Sequence, residues 1–197
     1  MLETSEIDNE MNTLIAKKQF TKLLERAEML TNDYPNCYVG RWWKARAYTF
    51  LGNTKAALNW FIEAMKQAND DMEESKISSS IANVYNIRKD WIQSLNYTEI
   101  ALELNPDNIS ATLAKSMALT AIGKREEAHK LLEDKKELFK EEYQQAYYAA
   151  IKKDNDNMIQ HLAKALKDNP QLKVTIFYDP DFEPYRKNPD LIDLLKV

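Results

Sequence analysis

The stretch RWWKARAYTFLGNTKAALNWFIEAMKQA, residues 41–68, decides the fold. Ala45 and Tyr48 stand three apart and share one helix face, and Ala57, Phe61 and Ala64 do the same after an interruption at Gly52. Alanine on such a face lets two helices approach closely, while Tyr48, Trp60 and Phe61 fill the space beside it. Gly52 accepts the left-handed backbone that ends a helix at little cost. The stretch therefore reads as two helices folded against each other about a tight turn.

The same order returns on the C-terminal side, in residues 75–108, as Ala82, Tyr85, Lys89 at the turn, Ser94, Leu95, Thr98, Ala101 and a closing Leu104-Asn105-Pro106. Proline there stops the second helix, because it disfavours helical geometry in the residue before it. Weaker copies lie further out. In residues 4–37, Leu14, Phe20, Leu23, Ala27, Leu30 and Pro35 keep the spacing, with Met11 in place of the small residue and Lys18 in place of glycine. In residues 109–138, Gly123 falls at the turn and Ala128 and Leu132 follow, although Lys135 stands where alanine is expected. In residues 139–170 come Ala146, the turn Lys153-Asp154-Asn155, then Met158, Leu162, Ala165, Leu166 and Pro170. The turns at Lys18, Gly52, Lys89, Gly123 and Lys153 are spaced by 34, 37, 34 and 30 residues, a period that signals stacked helical hairpins. The longer interval is expected to place its extra residues in a linker at Met72-Glu73-Glu74, and the short one predicts a trimmed hairpin near Glu133 to Leu138.

This pattern (small residue, aromatic, turn glycine, then alanine, aromatic, alanine) resembles the tetratricopeptide repeat. The resemblance covers residues 4–170 and is strongest in the second and third copies. It implies an all-α fold: a right-handed superhelical solenoid of about five hairpins near 4–37, 38–71, 75–108, 109–138 and 139–170, with residues 1–170 as the array. Residues 171–197 do not read as a further repeat. Lys173 to Tyr178 can extend a helix, Asp179-Pro180-Asp181-Phe182-Glu183-Pro184-Tyr185-Arg186 is rich in turn formers, and Asn188-Pro189-Asp190 starts a last helix through an asparagine cap followed by proline. The run is similar to the segment that closes many bacterial arrays of this family, which implies a cap over the apolar edge of the last hairpin and leans towards a bacterial source. Phe177, Phe182, Tyr185, Leu191 and Leu194 are the candidates for that seal.

Composition agrees with helices. The 197 residues include only 3 glycines and 6 prolines, against usual shares of about 7% and 5%; this scarcity counts against sheets joined by tight turns and against glycine-rich phosphate loops. A net charge of −4 offers no basic excess for a phosphate backbone, so no nucleic acid is expected as partner. One cysteine, Cys37, forms no internal disulfide, and no apolar run approaches the roughly 18 residues that span a membrane. Residues 1–10 lack the apolar core of a signal peptide. A cytoplasmic protein with no membrane partner, monomeric or weakly self-associating, is the expectation.

Catalysis has no constellation to stand on. His129 and His161 are the only histidines, and neither has cysteine or carboxylate partners at the spacing of a zinc site, which takes three or four ligands. No motif marks Cys37 as a nucleophile. Glu126-Glu127 and Glu141-Glu142 read as solvated faces, and no G-x-S-x-G, Walker or G-x-G-x-x-G motif occurs. A non-enzyme without metal or cofactor is expected.

In a solenoid of this kind the first helix of each hairpin lines the inner wall. Measured from the small-residue positions, the free side of those helices carries Asp8 and Asn12; Trp42, Arg46 and Thr49; Ser79, Asn83 and Asn86; Leu113, Met117 and Thr120; and Tyr143 and Tyr147. The candidate groove is Asn12, Trp42, Arg46, Thr49, Asn83, Asn86, Met117, Tyr143 and Tyr147. Asparagine both donates to and accepts from a peptide backbone, arginine pairs with carboxylates or lies over Trp42, and Trp, Met and Tyr anchor apolar side chains. Two or three of these positions are expected to serve the core instead, and Trp43 is ambiguous because adjacent residues face different ways on a helix. Members of the family that hold chaperone tails use a two-carboxylate clamp of lysine, asparagine and arginine; Asp8, Trp42 and Trp43 depart from it, although Lys76 is compatible. The resemblance implies a scaffold or adaptor that holds a peptide or protein surface in the concave groove. The alternatives are a secretion-type chaperone for an aggregation-prone client or the regulatory subunit of an enzyme.

Overall fold

Five residues with left-handed backbone set five hairpins: Lys18 (φ 55°), Gly52 (76°), Lys89 (60°), Gly123 (89°) and Lys153 (60°). At each one the chain closes in the same way. At Gly52 its own N–H donates to Thr49 O at 3.0 Å and the next N–H, of Asn53, reaches back to Tyr48 O at 2.9 Å, which satisfies the last carbonyls of the helix. The equivalent pair recurs at Lys18, Lys89, Gly123 and Lys153. Asn53, Asp90 and Asp154 then accept from the backbone N–H three residues on and cap the following helix.

The computed structural model describes residues 4–196, without the side chains of Pro180 and Asp181. The hairpins are α1 (Thr4–Ala16) with α2 (Phe20–Asp33), α3 (Tyr38–Phe50) with α4 (Thr54–Met65), α5 (Asp71–Ile87) with α6 (Trp91–Leu104), α7 (Ile109–Ala121) with α8 (Arg125–Asp134), and α9 (Glu142–Ile151) with α10 (Asn155–Asp168). Two short helices follow, α11 (Leu172–Tyr178) and α12 (Pro189–Leu195), joined by a 3-10 segment at Pro180–Tyr185. Among the described residues there is no strand, and no helix is long and apolar enough to cross a membrane.

The small residues sit where helices meet: Ala45, Ala57, Ala64, Ala82, Ala101, Ala128 and Ala146 are fully buried. The third glycine, Gly40, does more. A Cβ there would stand 2.6 Å from Thr31 N and 2.9 Å from Leu30 C, so α2 and α3 touch backbone to backbone. Met72, Glu73 and Glu74 do not form the expected linker. Asp70 caps Glu73 N at 2.8 Å and α5 starts a turn early, with Asp71, Glu73 and Glu74 at its positive end. The short fourth interval is taken up by 10-residue α8 and α9 about a 3-10 turn at Lys136–Leu138.

Two apolar cores result. One joins α1 to α5 around Met11, Trp43, Phe61 and Ile77; the other joins α7 to α12 around Leu132, Met158, Leu162 and Phe182. Between them α5, α6 and α7 bury small polar groups, Ser75, Ser78, Asn86, Ser94, Thr98, Thr112 and Ser116 among them. The C-terminal segment then crosses from one core to the other. Phe182 and Leu191 fill the second, with Tyr185 and Leu194 partly buried against it, while Val174 of α11 belongs to the first and α11 packs on α1. Val174 and Ile176 take the inward positions of this short helix, which leaves Phe177, expected in the seal, half-exposed.

Candidate functional site

Successive first helices lie side by side, α5 against α7 and α7 against α9, and form one wall. A cavity of about 620 Å³ lies between this wall and the C-terminal segment. The wall side carries Arg46 and Thr49 from α3, Ser80 and Asn83 from α5, Leu113 from α7, and Tyr143 and Tyr147 from α9; Tyr178, Asp179 and Glu183 close it from the opposite side.

The wall residues sit among buried neighbours on their helices, and their surroundings differ. Arg46 lies one residue from fully buried Ala45 and Ala47, with its guanidinium 4.9 Å from the Trp42 ring and 4.4 Å from that of Trp43. Burial pulls its pKa down to about 10, because the charged form has lost water. Lys76 also stands over the Trp42 ring, 4.1 Å from its centroid, and its pKa is likewise lowered by burial. Trp42 thus meets two cations, and its Nε1 donates to Ser80 Oγ at 3.0 Å. Trp43 points into the core, fully buried, with Nε1 donating to Asp8 at 3.0 Å. Neither Arg46 nor Lys76 has an ion pair, and neither Arg46 nor Asn83 a side-chain hydrogen bond, to another described residue.

The structure brings Arg46, Thr49, Asn83, Tyr143 and Tyr147 together around this cavity, with Trp42 buried behind Arg46. Thr49 turns its hydroxyl to Ala45 O at 3.0 Å. Tyr143 and Tyr147 both donate to Asp179 of the C-terminal segment, the first at 3.1 Å. Asn86 is buried in the packing, its Nδ2 donating to Ala114 O at 3.0 Å, and Asn12 and Met117 lie outside the cavity lining. Ser79 is buried, with its hydroxyl on Lys76 O at 2.9 Å.

The sequence pattern does not show the contribution of Tyr178 and Asp179, which reach the groove from the capping run. Elsewhere, His161 Nδ1 meets Glu142 at 2.6 Å, and this hydrogen bond holds the Glu142 carboxyl below its usual range. Among the described residues no cluster of three His, Cys, Asp or Glu side chains is placed to hold a metal ion.

No protein-family model and no curated protein sequence matches the chain. Solved structures do. The thermophilic tetratricopeptide protein TTC0263 of Thermus thermophilus superposes with a TM-score of 0.66 at 18% identity, over 88% of this chain and 96% of that one. MamA MSR-1 C2 superposes with a TM-score of 0.51 at 13% identity, over 85% and 95%. At such identities the likeness is one of fold, and it agrees with the five repeated turns and the buried alanines: the chain has the tetratricopeptide-repeat fold, an all-α solenoid of helical hairpins.

Proposed function

We propose that the chain is a non-catalytic interaction module that holds a peptide, or an exposed segment of another protein, in the groove between the first helices of the array (residues 1–170) and the C-terminal segment (171–197). The observation that carries this reading is the pair Arg46 and Asn83. Both face the cavity, and both keep their hydrogen-bonding groups unengaged by the described residues. A half-buried guanidinium costs free energy unless an acceptor meets it, and an amide that can donate and accept suits a peptide backbone. Tyr143 and Tyr147 supply rigid aromatic surface beside them, and Trp42 backs Arg46 from the core. A scaffold or adaptor role follows if the held segment belongs to another protein.

The test is selection of peptides from a displayed random library on the purified full-length chain, followed by titration of the best binders. Loss of one charge-assisted contact, about 1.5–3 kcal/mol, predicts that Arg46→Met weakens binding by roughly 10- to 100-fold, and Asn83→Ala by less. Arg46→Met removes a poorly solvated charge, so the melting temperature is expected to stay level or rise. Selected peptides that bind both variants as they bind the wild type would show that the groove is not the site.

A further inference from the structure

The groove is not open along its length, because the chain's own C-terminal segment lies in it. Phe20 and Phe50 stack at 5.2 Å, and Tyr178 sets its ring edgewise to both, at 5.3 and 5.9 Å. Tyr178 remains 39% exposed, so this seat is shallow. The next residue, Asp179, takes the hydroxyls of Tyr143 and Tyr147. Four residues on, Glu183 stands 3.9 Å from Lys89, at the turn of the third hairpin. These three contacts are an aromatic ring in a notch, a carboxylate on two donors and a loose surface ion pair; a segment supplied from outside can reproduce each of them.

We infer that Tyr178 and Asp179 are an internal stand-in for the partner, which itself carries an aromatic side chain next to a carboxylate and competes with them for the notch and the tyrosine pair. This rests on the groove reading above and adds the partner's chemistry and its competitor. Charge points the same way. Arg46 faces the cavity without an ion pair to any described residue, and Lys89 and Arg186 also line it, so further acidic groups on the partner find cations and a basic segment meets repulsion. Val174 and Ile176 are buried on one side, and Phe182 and Leu191 on the other, so both ends of the segment stay anchored while Tyr178 and Asp179 yield.

The test uses a fluorescently labelled synthetic peptide of residues 174–187, VTIFYDPDFEPYRK, titrated into full-length wild-type chain and full-length Tyr178→Ala/Asp179→Asn. The variant, whose own stand-in is loosened, is expected to bind the peptide at least tenfold more tightly than the wild type, and a peptide bearing the same two substitutions is expected to bind neither. Asp179→Asn alone, which keeps every apolar contact, is expected to gain about threefold and covers the case in which the double variant loses its helical circular-dichroism signal. Equal affinity for wild type and for the folded variants overturns the proposal. Failure of the groove reading is distinct, since it shows as library-selected peptides indifferent to Arg46 and Asn83 rather than as this peptide indifferent to Tyr178 and Asp179.

Discussion

The first two hairpins and the middle of the array are packed by different means. In the former, Met11, Ile15, Leu23, Trp43 and Phe61 are buried almost completely, each contributing about 1.5–3 kcal/mol through removal of apolar surface from water. Gly40 lets α2 and α3 close to backbone contact there. In α5 to α7 the interior holds hydroxyls and one amide, whose net contribution per hydrogen bond is about 1 kcal/mol when made and unfavourable when not. Some are made well. Ser75 donates to Ala101 O at 2.7 Å and accepts from Asn108 Nδ2 at 2.8 Å, and Asn108 also caps α7, so this one network ties three helices. Others are not, since the hydroxyls of Ser78 and Ser94 and the Oδ1 of Asn86 are buried with no partner among the described residues. The lesson is that the ends hold themselves, while the middle trades strength for direction: a few geometrically demanding bonds set how the third hairpin meets its neighbours.

That contrast can be broken or sharpened by substitution, measured by urea or thermal unfolding. Trp43→Ala, in the apolar end, is expected to cost about 4 kcal/mol; a loss below 1 kcal/mol would mean the first core is looser than its burial implies. Ser75→Ala, which removes one of the two acceptors of Asn108 Nδ2 and one of the two donors to the Ala101 carbonyl, is expected to cost about 1.5 kcal/mol. Ser78→Ala or Ser94→Ala removes a hydroxyl that has no partner and is expected to gain about 1 kcal/mol, a rise in melting temperature of about 2–4 °C. If Ser75→Ala and Ser78→Ala move stability in the same direction, the division between satisfied and unsatisfied groups in the middle is wrong.

How much of this was legible in the chain differs by kind of information. The five turns were readable at Lys18, Gly52, Lys89, Gly123 and Lys153, because a left-handed residue must follow each first helix and the period repeats it. The alanine faces were readable from spacing of three and four. Gly40 was not read as a contact point, because helical periodicity states which face a residue occupies and not how near the next helix comes. Asn86 stood in the groove stripe by the same periodicity, but its acceptor, Ala114 O, lies 28 residues away on another hairpin. The adjacent pair Trp42 and Trp43 is buried in one core but turns to different helices, for a reason that needs both neighbours, Ser80 on α5 and Asp8 on α1. The return of α11 onto α1 leaves no local mark at all: the apolar residues of Leu172 to Tyr178 would look the same whichever core received them.

The contact between α11 and α1 joins elements more than 150 residues apart along the chain. An open solenoid unravels from its termini, since each end unit has one neighbour instead of two. Here α1 and α11 lend each other a neighbour, so fraying of either element first requires the clasp to part. The same joint closes a loop of more than 150 residues, an ordering cost that favours its forming late in folding.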